Sequence, residues 1–190
     1  MDTLISLALG LGLAAAAGFR VFVPLFVLSL TARSGFVPLT PGFDWIASDA
    51  ALVAFGSATF LEVAAYYVPL LDHVLDVAAS PAAVVAGMIL SAAVMADLPP
   101  YIRWIAAVIG GGGLAAIVQG STVALRAGST AATGGLANVL IATGEAGGAV
   151  GLALLALALP VAALALAITF AWIAYRVVRR LFGAPAPGSS

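Results

Sequence analysis

The chain has 190 residues, 64% of them hydrophobic and only 8% charged, with a formal net charge of −1 and a mean hydropathy of +1.20. A soluble domain carries charge on about a quarter of its residues, so this composition excludes a water-dissolved globule and makes the bilayer the solvent. Lysine does not occur, which excludes a Walker-type phosphate loop at the glycine run 110–113 and any lysine Schiff-base chemistry. Cysteine does not occur either, and His73 is the one histidine, so disulfides, thiolate nucleophiles and multi-imidazole metal sites are excluded as well.

The first apolar segment runs from Thr3 to Leu30. As an unbroken helix it would be roughly 42 Å long against a hydrocarbon core of about 30 Å. Gly18 weakens that helix and Pro24 removes a backbone donor, so the sequence predicts a kinked or discontinuous first helix with its irregularity between these two residues. The acidic start MDTLIS and the unbroken apolar run after it argue for a retained segment rather than a signal peptide. Residues 31–49 hold two prolines, two glycines, Trp45 and three charges, and read as an interfacial loop.

A second segment, residues 50–69, carries Glu62 and meets the polar cluster PLLDHVLD at 69–76. The third, 81–98, is expected to open on Pro81 at a favoured first-turn position. In the fourth, 102–118, the glycines at 110–113 offer a neighbouring helix a close approach. Residues 119–149 are rich in small residues and only patchily apolar, so a short or re-entrant piece is expected over 134–149. The last segment, 150–175, exceeds the needed length, and Pro160 is expected to tilt or kink it.

These segments make an all-α polytopic membrane bundle of five to six membrane segments. One integral domain is expected over 1–182, followed by a disordered tail at 183–190. Arg176, Arg179 and Arg180 place the C-terminus in the cytoplasm by the positive-inside rule, with the N-terminus on the same side for six crossings and outside for five. A bacterial inner membrane is the expected location. Aligning GLAAAAGFRVFVPL (12–25) with GLAAIVQGSTVAL (113–125), each followed by a glutamate inside an apolar stretch, is compatible with an inverted repeat of halves 1–98 and 101–182.

Arg20 is the sharpest feature. An arginine near the centre of a membrane helix costs about 2.5–3.5 kcal/mol on insertion scales and must find a partner or water. Glu62 and Glu145 are the candidate partners, and the helix break beside Arg20 would free backbone donors that favour an anion. Asn138, Thr143 and Glu145 form a polar stripe that would either line a pathway or glue helices together. Asp72 and Asp76 stand at i and i+4 with His73 beside them, a candidate ion or proton relay or, alternatively, an acidic turn at the membrane surface.

The blocks AGFRVFVPLF (17–26), LEVAAYYVPLLDHVLDV (61–77) with SPAAVVAG (80–87), and GLANVLIATGE (135–145) resemble the three motif blocks of the domain-of-unknown-function 4126 family, small membrane proteins of bacteria and plastids. By that resemblance Arg20, Pro24, Glu62, Pro69, Asp72, His73, Asp76, Asn138 and Glu145 fall on the family's typical polar or proline positions. The resemblance also implies an Asp-Lys pair where this chain has Tyr66 and Tyr67, and Arg-Pro where it has Ser80 and Pro81, so an ion-pair network using those groups is thinner here. The resemblance brings no established activity.

The expected function is a small transporter or channel for an anionic solute or lipid-like substrate, with Arg20, Glu62, Glu145, Asn138 and Thr143 at its polar site. The alternative is a structural or assembly protein whose charges only fix helix packing. An intramembrane lipid enzyme acting through Asp72, His73 and Asp76 ranks third, because no nucleophile or metal motif accompanies them. No enzyme activity, cofactor, metal or nucleic-acid partner is expected, whereas membrane lipids and a second copy of the chain are.

Overall fold

A computed structural model describes residues 2–66 and 71–182, with the side chains of 71–75, 178 and 180–182 outside the description. The described residues are helical throughout apart from turns and loops. α1 spans Thr3–Phe19, α2 Phe22–Arg33 and α3 Asp49–Ala65, with a 3₁₀ turn at Asp44–Ala47. α4 spans Leu71–Val94 and α5 Pro100–Ile105; a π-helical stretch, Ala106–Gly112, then joins α5 to α6, Gly113–Thr133. α7 is Asn138–Ala158 and α8 is Pro160–Phe182. Among the described residues four helical stretches are long and apolar enough to cross a membrane: Asp76–Val94, Pro100–Thr133, Asn138–Ala158 and Pro160–Val177.

Helix α1 stands at the centre. Leu13, Ala14, Ala15, Ala16 and Ala17 are completely buried, so all sides of the helix are covered, as expected of one that is apolar all round. Its small residues set the spacing of the bundle. A Cβ on Gly18 would lie 2.5 Å from Val118 Cβ and 2.6 Å from the Ala115 carbonyl oxygen, and one on Gly12 would lie 2.9 Å from Ala156 Cβ. Close backbone approach of this kind replaces the hydrophobic drive that lipid does not supply.

The same contacts give direction. Gly10 packs on Ser91 and Met95 of the α4 end, Gly12 on Ala156, and Phe19 beside Gly148, so α4 and α7 run antiparallel to α1. Leu11 meets Gly110 and Gly18 meets Val118, while Gly12 meets Ala163 and Phe19 stacks on Phe170 with ring centroids 5.0 Å apart, so α6 and α8 run parallel to it. The starts of α1 and the ends of α8 therefore lie at opposite ends of the bundle.

Between α1 and α2 the chain reverses. Arg20 is extended (φ −146°, ψ 125°) and the helix resumes after Val21. The loop after α2 returns to the Gly10 end, where the Thr40 amide donates to the Ala93 carbonyl at 2.8 Å and Phe43 stacks near Trp104. Leu28, Val37 and Ile46 accordingly share one core with Leu9, Leu13 and Leu90. α1 and α2 are thus the two arms of a helical hairpin with Arg20–Val21 at its tip. α3 starts on a Ser48 cap that accepts from the Ala51 amide, then runs antiparallel to α2, with Gly56 against Phe26, and reaches the tip at Glu62.

Several local expectations need correction. Gly18 does not break the helix, which continues to Phe19; its role is the close contact with Val118. Pro24 lies in the first turn of α2, where the missing N–H would have had no helical acceptor anyway. Pro81 sits inside α4 instead of opening it. Pro160 does more than kink a final helix: it is the first residue of α8, and Leu159 separates α8 from α7. Residues 138–149 are not a half-span but the start of the 21-residue helix α7. Gly134, at φ +65°, ends α6 in the left-handed conformation that glycine adopts without strain. Of the two stretches aligned as a repeat, the first breaks at Arg20 whereas the second runs unbroken through α6. The proposed tail, 183–190, lies outside the described residues.

Candidate functional site

The hairpin tip frees backbone amides that water would normally satisfy. Here a carboxylate from another helix does so: Glu62 Oε1 accepts from the Val21 amide at 2.7 Å and Oε2 from the Phe22 amide at 3.0 Å. Glu62 is therefore an N-terminal cap for α2 supplied by α3, favoured further by the positive end of the α2 dipole. It is not the direct partner of Arg20.

That partner is Glu145. Arg20 Nη2 lies 3.1 Å from Glu145 Oε2 and donates to the Ala142 carbonyl at 3.0 Å, so α7 holds one edge of the guanidinium. The same Glu145 oxygen lies 3.2 Å from Arg126 Nη1, and Arg126 Nη2 lies 2.9 Å from Asp76 Oδ1. Tyr66 closes the group: its hydroxyl donates to Asp76 Oδ1 at 3.2 Å, and its ring centroid is 3.7 Å from the Arg20 guanidinium carbon and 4.4 Å from that of Arg126. Both cations thus gain the ring's negative face in a dry setting, where such contacts are worth about 2 kcal/mol. Arg20 and Arg126 are each 1% exposed and Glu145 is 4% exposed, so bulk water does not screen them.

The chain Arg20–Glu145–Arg126–Asp76 leaves donors unmatched. Arg20 Nε and Nη1 and Arg126 Nε are buried without an acceptor, and Arg126 Nη1 and Nη2 meet their carboxylates at ion-pair distance without the alignment of a hydrogen bond. On the same face of α6, at i−7 from Arg126, the buried Gln119 Nε2 also has no acceptor. Among the described residues no three metal-ligating side chains converge.

The remaining expected site residues lie elsewhere. Thr143 is exposed and donates to the Val139 carbonyl; two residues from Glu145 is 200° around a helix, so the two cannot share a face. Asn138 is buried on the Glu145 face but two turns away, donating to Thr130 Oγ1 at 3.0 Å across the α6–α7 turn. The side chains of Asp72 and His73 lie outside the described residues, as does Pro69. Asp76 belongs to the charge cluster, a turn before Pro81 in α4. An apolar crevice of about 420 Å³ between α6 and α8 is lined by Leu125, Gly128, Phe170, Ile173 and Val177 and is apart from this chemistry.

Reading the sequence missed Arg126 and Tyr66. Gln119, Thr122 and Arg126, spaced by three and four, are all buried, and that helical period within an ostensibly polar linker was the available signal. Tyr66 stood out only as a departure from the family pattern.

Neither curated proteins nor solved structures gave a match to the chain. The family model described as a domain of unknown function, DUF4126, matches residues 7–180, nearly the whole length. With its blocks and its membrane helices in the expected order, the chain belongs to the DUF4126 family.

Proposed function

We propose that the protein is a small membrane transporter or channel for an anionic solute or lipid-like substrate, acting at the Arg20–Arg126 site. One observation carries this reading: two buried guanidiniums meet at the tip of a helical hairpin with three nitrogens, Arg20 Nε and Nη1 and Arg126 Nε, lacking an acceptor among the described residues. A bundle designed only for stability would leave no such donors, each of which costs about 1–3 kcal/mol when buried. Interrupted helices meeting at membrane depth are also the usual way in which transporters expose backbone groups to a substrate. In this reading the α1–α2 hairpin is re-entrant, the C-terminal arginines are cytoplasmic in a bacterial inner membrane and the N-terminus is outside. A homo-oligomer completes it.

The test is anion efflux from proteoliposomes. The reading expects Arg20→Ala and Glu62→Gln to abolish flux or reduce it at least tenfold; flux unchanged in both sinks it. The cysteine-free sequence suits single-cysteine labelling from either side to establish orientation.

A structural role is the second reading, favoured by the ion pairing of Arg20 with Glu145 and of Arg126 with both Glu145 and Asp76. It predicts that replacing Arg20 and Glu145 together by neutral residues restores the stability lost by either single change.

A further inference from the structure

The three carboxylates of the site are held very differently. Glu62 is fixed by two backbone amides, and Asp76 by the Tyr66 hydroxyl together with Arg126. Among the described residues Glu145 is held by the two guanidiniums: its Oε2 sits between Arg20 and Arg126, and its buried Oε1 has no hydrogen-bond partner there. It also lies in a glycine-rich stretch of α7, where a Cβ on Gly144 or Gly147 would meet nothing within 4 Å. Of the three, it is the one free to be exchanged.

Charge bookkeeping fixes the terms of the exchange. With Glu62 offset by the amides at the start of α2, the described side chains of the cluster set two carboxylates, Asp76 and Glu145, against two guanidiniums, Arg20 and Arg126. Among the described residues the groups around Glu145 are Arg20 at the hairpin tip, Glu62 from α3 and Tyr66 just after it, Asp76 from α4 and Arg126 from α6. The described parts of α2 and α8 packed on α7 bring no titratable side chain to it. Displacing Glu145 as a carboxylate would strand a buried negative charge, which this environment does not tolerate. Meanwhile Arg20 Nε and Nη1 and Arg126 Nε offer more donors than one carboxylate oxygen can use.

We infer that Glu145 is an internal stand-in for a singly charged oxyanion, and that such an anion enters between Arg20 and Arg126 only as Glu145 takes up a proton and withdraws. Anion and proton therefore load together, one for one. Carboxylates and the phosphodiesters of lipid headgroups share the required chemistry. This deepens the transport reading and rests on it, but binding rather than flux tests it, so the two fail separately.

The experiment measures acetate binding to the purified protein in phosphatidylcholine nanodiscs by calorimetry, between pH 5.5 and 8 and in buffers of different ionisation enthalpy. The expected result is proton uptake that rises toward one per acetate at the alkaline end of this range, where Glu145 is ionised in the free protein, with the apparent Kd weakening as pH rises and approaching tenfold per pH unit there. Glu145→Gln should bind acetate with no pH dependence and no proton uptake. Adding phosphatidylglycerol to the discs weakens acetate binding if a headgroup is the natural occupant and leaves it unchanged if a free solute is. The inference is overturned if wild-type binding is independent of pH, if Glu145→Gln keeps the proton uptake, or if the wild type binds neither acetate nor phosphatidylglycerol. The wild-type proton count needs no variant, so a misfolded Glu145→Gln protein does not spoil the test. An intact proton count with no flux would reject transport and leave the loading step standing.

Discussion

The chain interrupts its apolar helices at two comparable places, Arg20–Val21 and Leu159–Pro160, and uses them differently. The first is two residues long and the second one, each is followed by a new helix, and both have a proline in the first turn beyond. At the second, Leu159 is 60% exposed, and the break does no more than redirect the chain from α7 into α8. At the first, Arg20 is buried, its guanidinium bridges to α7, and a glutamate from a third helix caps the freed amides. A break or a proline is therefore not itself the mark of a site. What matters is what the freed backbone groups meet.

This contrast orders the expected effects of mutation. Arg126→Ala should be the most damaging, since it removes the guanidinium that Asp76 and Glu145 share; losing one partner of a buried ion pair costs about 3–5 kcal/mol, read as a fall in the thermal unfolding midpoint in detergent. If Arg126→Ala unfolds at the wild-type temperature, the cluster is not the dry network that the geometry describes. Gly18→Val comes next: forcing a side chain against Val118 and the Ala115 carbonyl should cost about 1–3 kcal/mol or more, whereas Gly144→Ala, at an open helical position, should be neutral or stabilise by up to about 1 kcal/mol. Similar midpoints for the two would show that α1 is not packed as tightly as its neighbours imply.

Smaller effects discriminate between the breaks themselves. Glu62→Gln keeps an acceptor for one α2 amide and loses the charge at the helix start, so about 1–2 kcal/mol of stability should go. Pro160→Ala should change stability by less than about 1 kcal/mol, because a first-turn proline contributes only its fixed φ. If Pro160→Ala proved the costlier of the two, the supposed asymmetry between the breaks would be reversed.

Particular residues show how far the sequence was legible. Arg20 was readable as needing a partner, with Glu62 and Glu145 both open, because a charge in an apolar run has few ways to be satisfied; the choice of Glu145 came only with the structure. The all-helical membrane class followed directly from composition. Arg126 was hidden by its neighbours: in QGSTVALRAGST, averaged hydropathy reads as a linker, while the buried face of α6 shows only at a helical period. Thr143 could have been set aside by spacing alone. The hairpin was not legible, because a glycine, an arginine and a proline in sequence specify an interruption but not the angle at which the chain leaves it. That angle comes from Glu62 and Thr40, residues 20 and more positions away that hold α2 and its loop in place.

The enclosure of α1 has a consequence for assembly. Its walls are α4, α6, α7 and α8, all of which follow it in the chain, so during synthesis it exists for a time without its final neighbours. Contacts between residues such as Gly12 and Ala163 close loops of well over a hundred residues, the kind of long-range pairing that forms slowly. An early helix with exposed alanines and glycines, carrying an unpaired Arg20, must therefore be held in or beside the membrane until α6 and α7 deliver Arg126 and Glu145. The element that organises the finished bundle is among the last to reach its final surroundings.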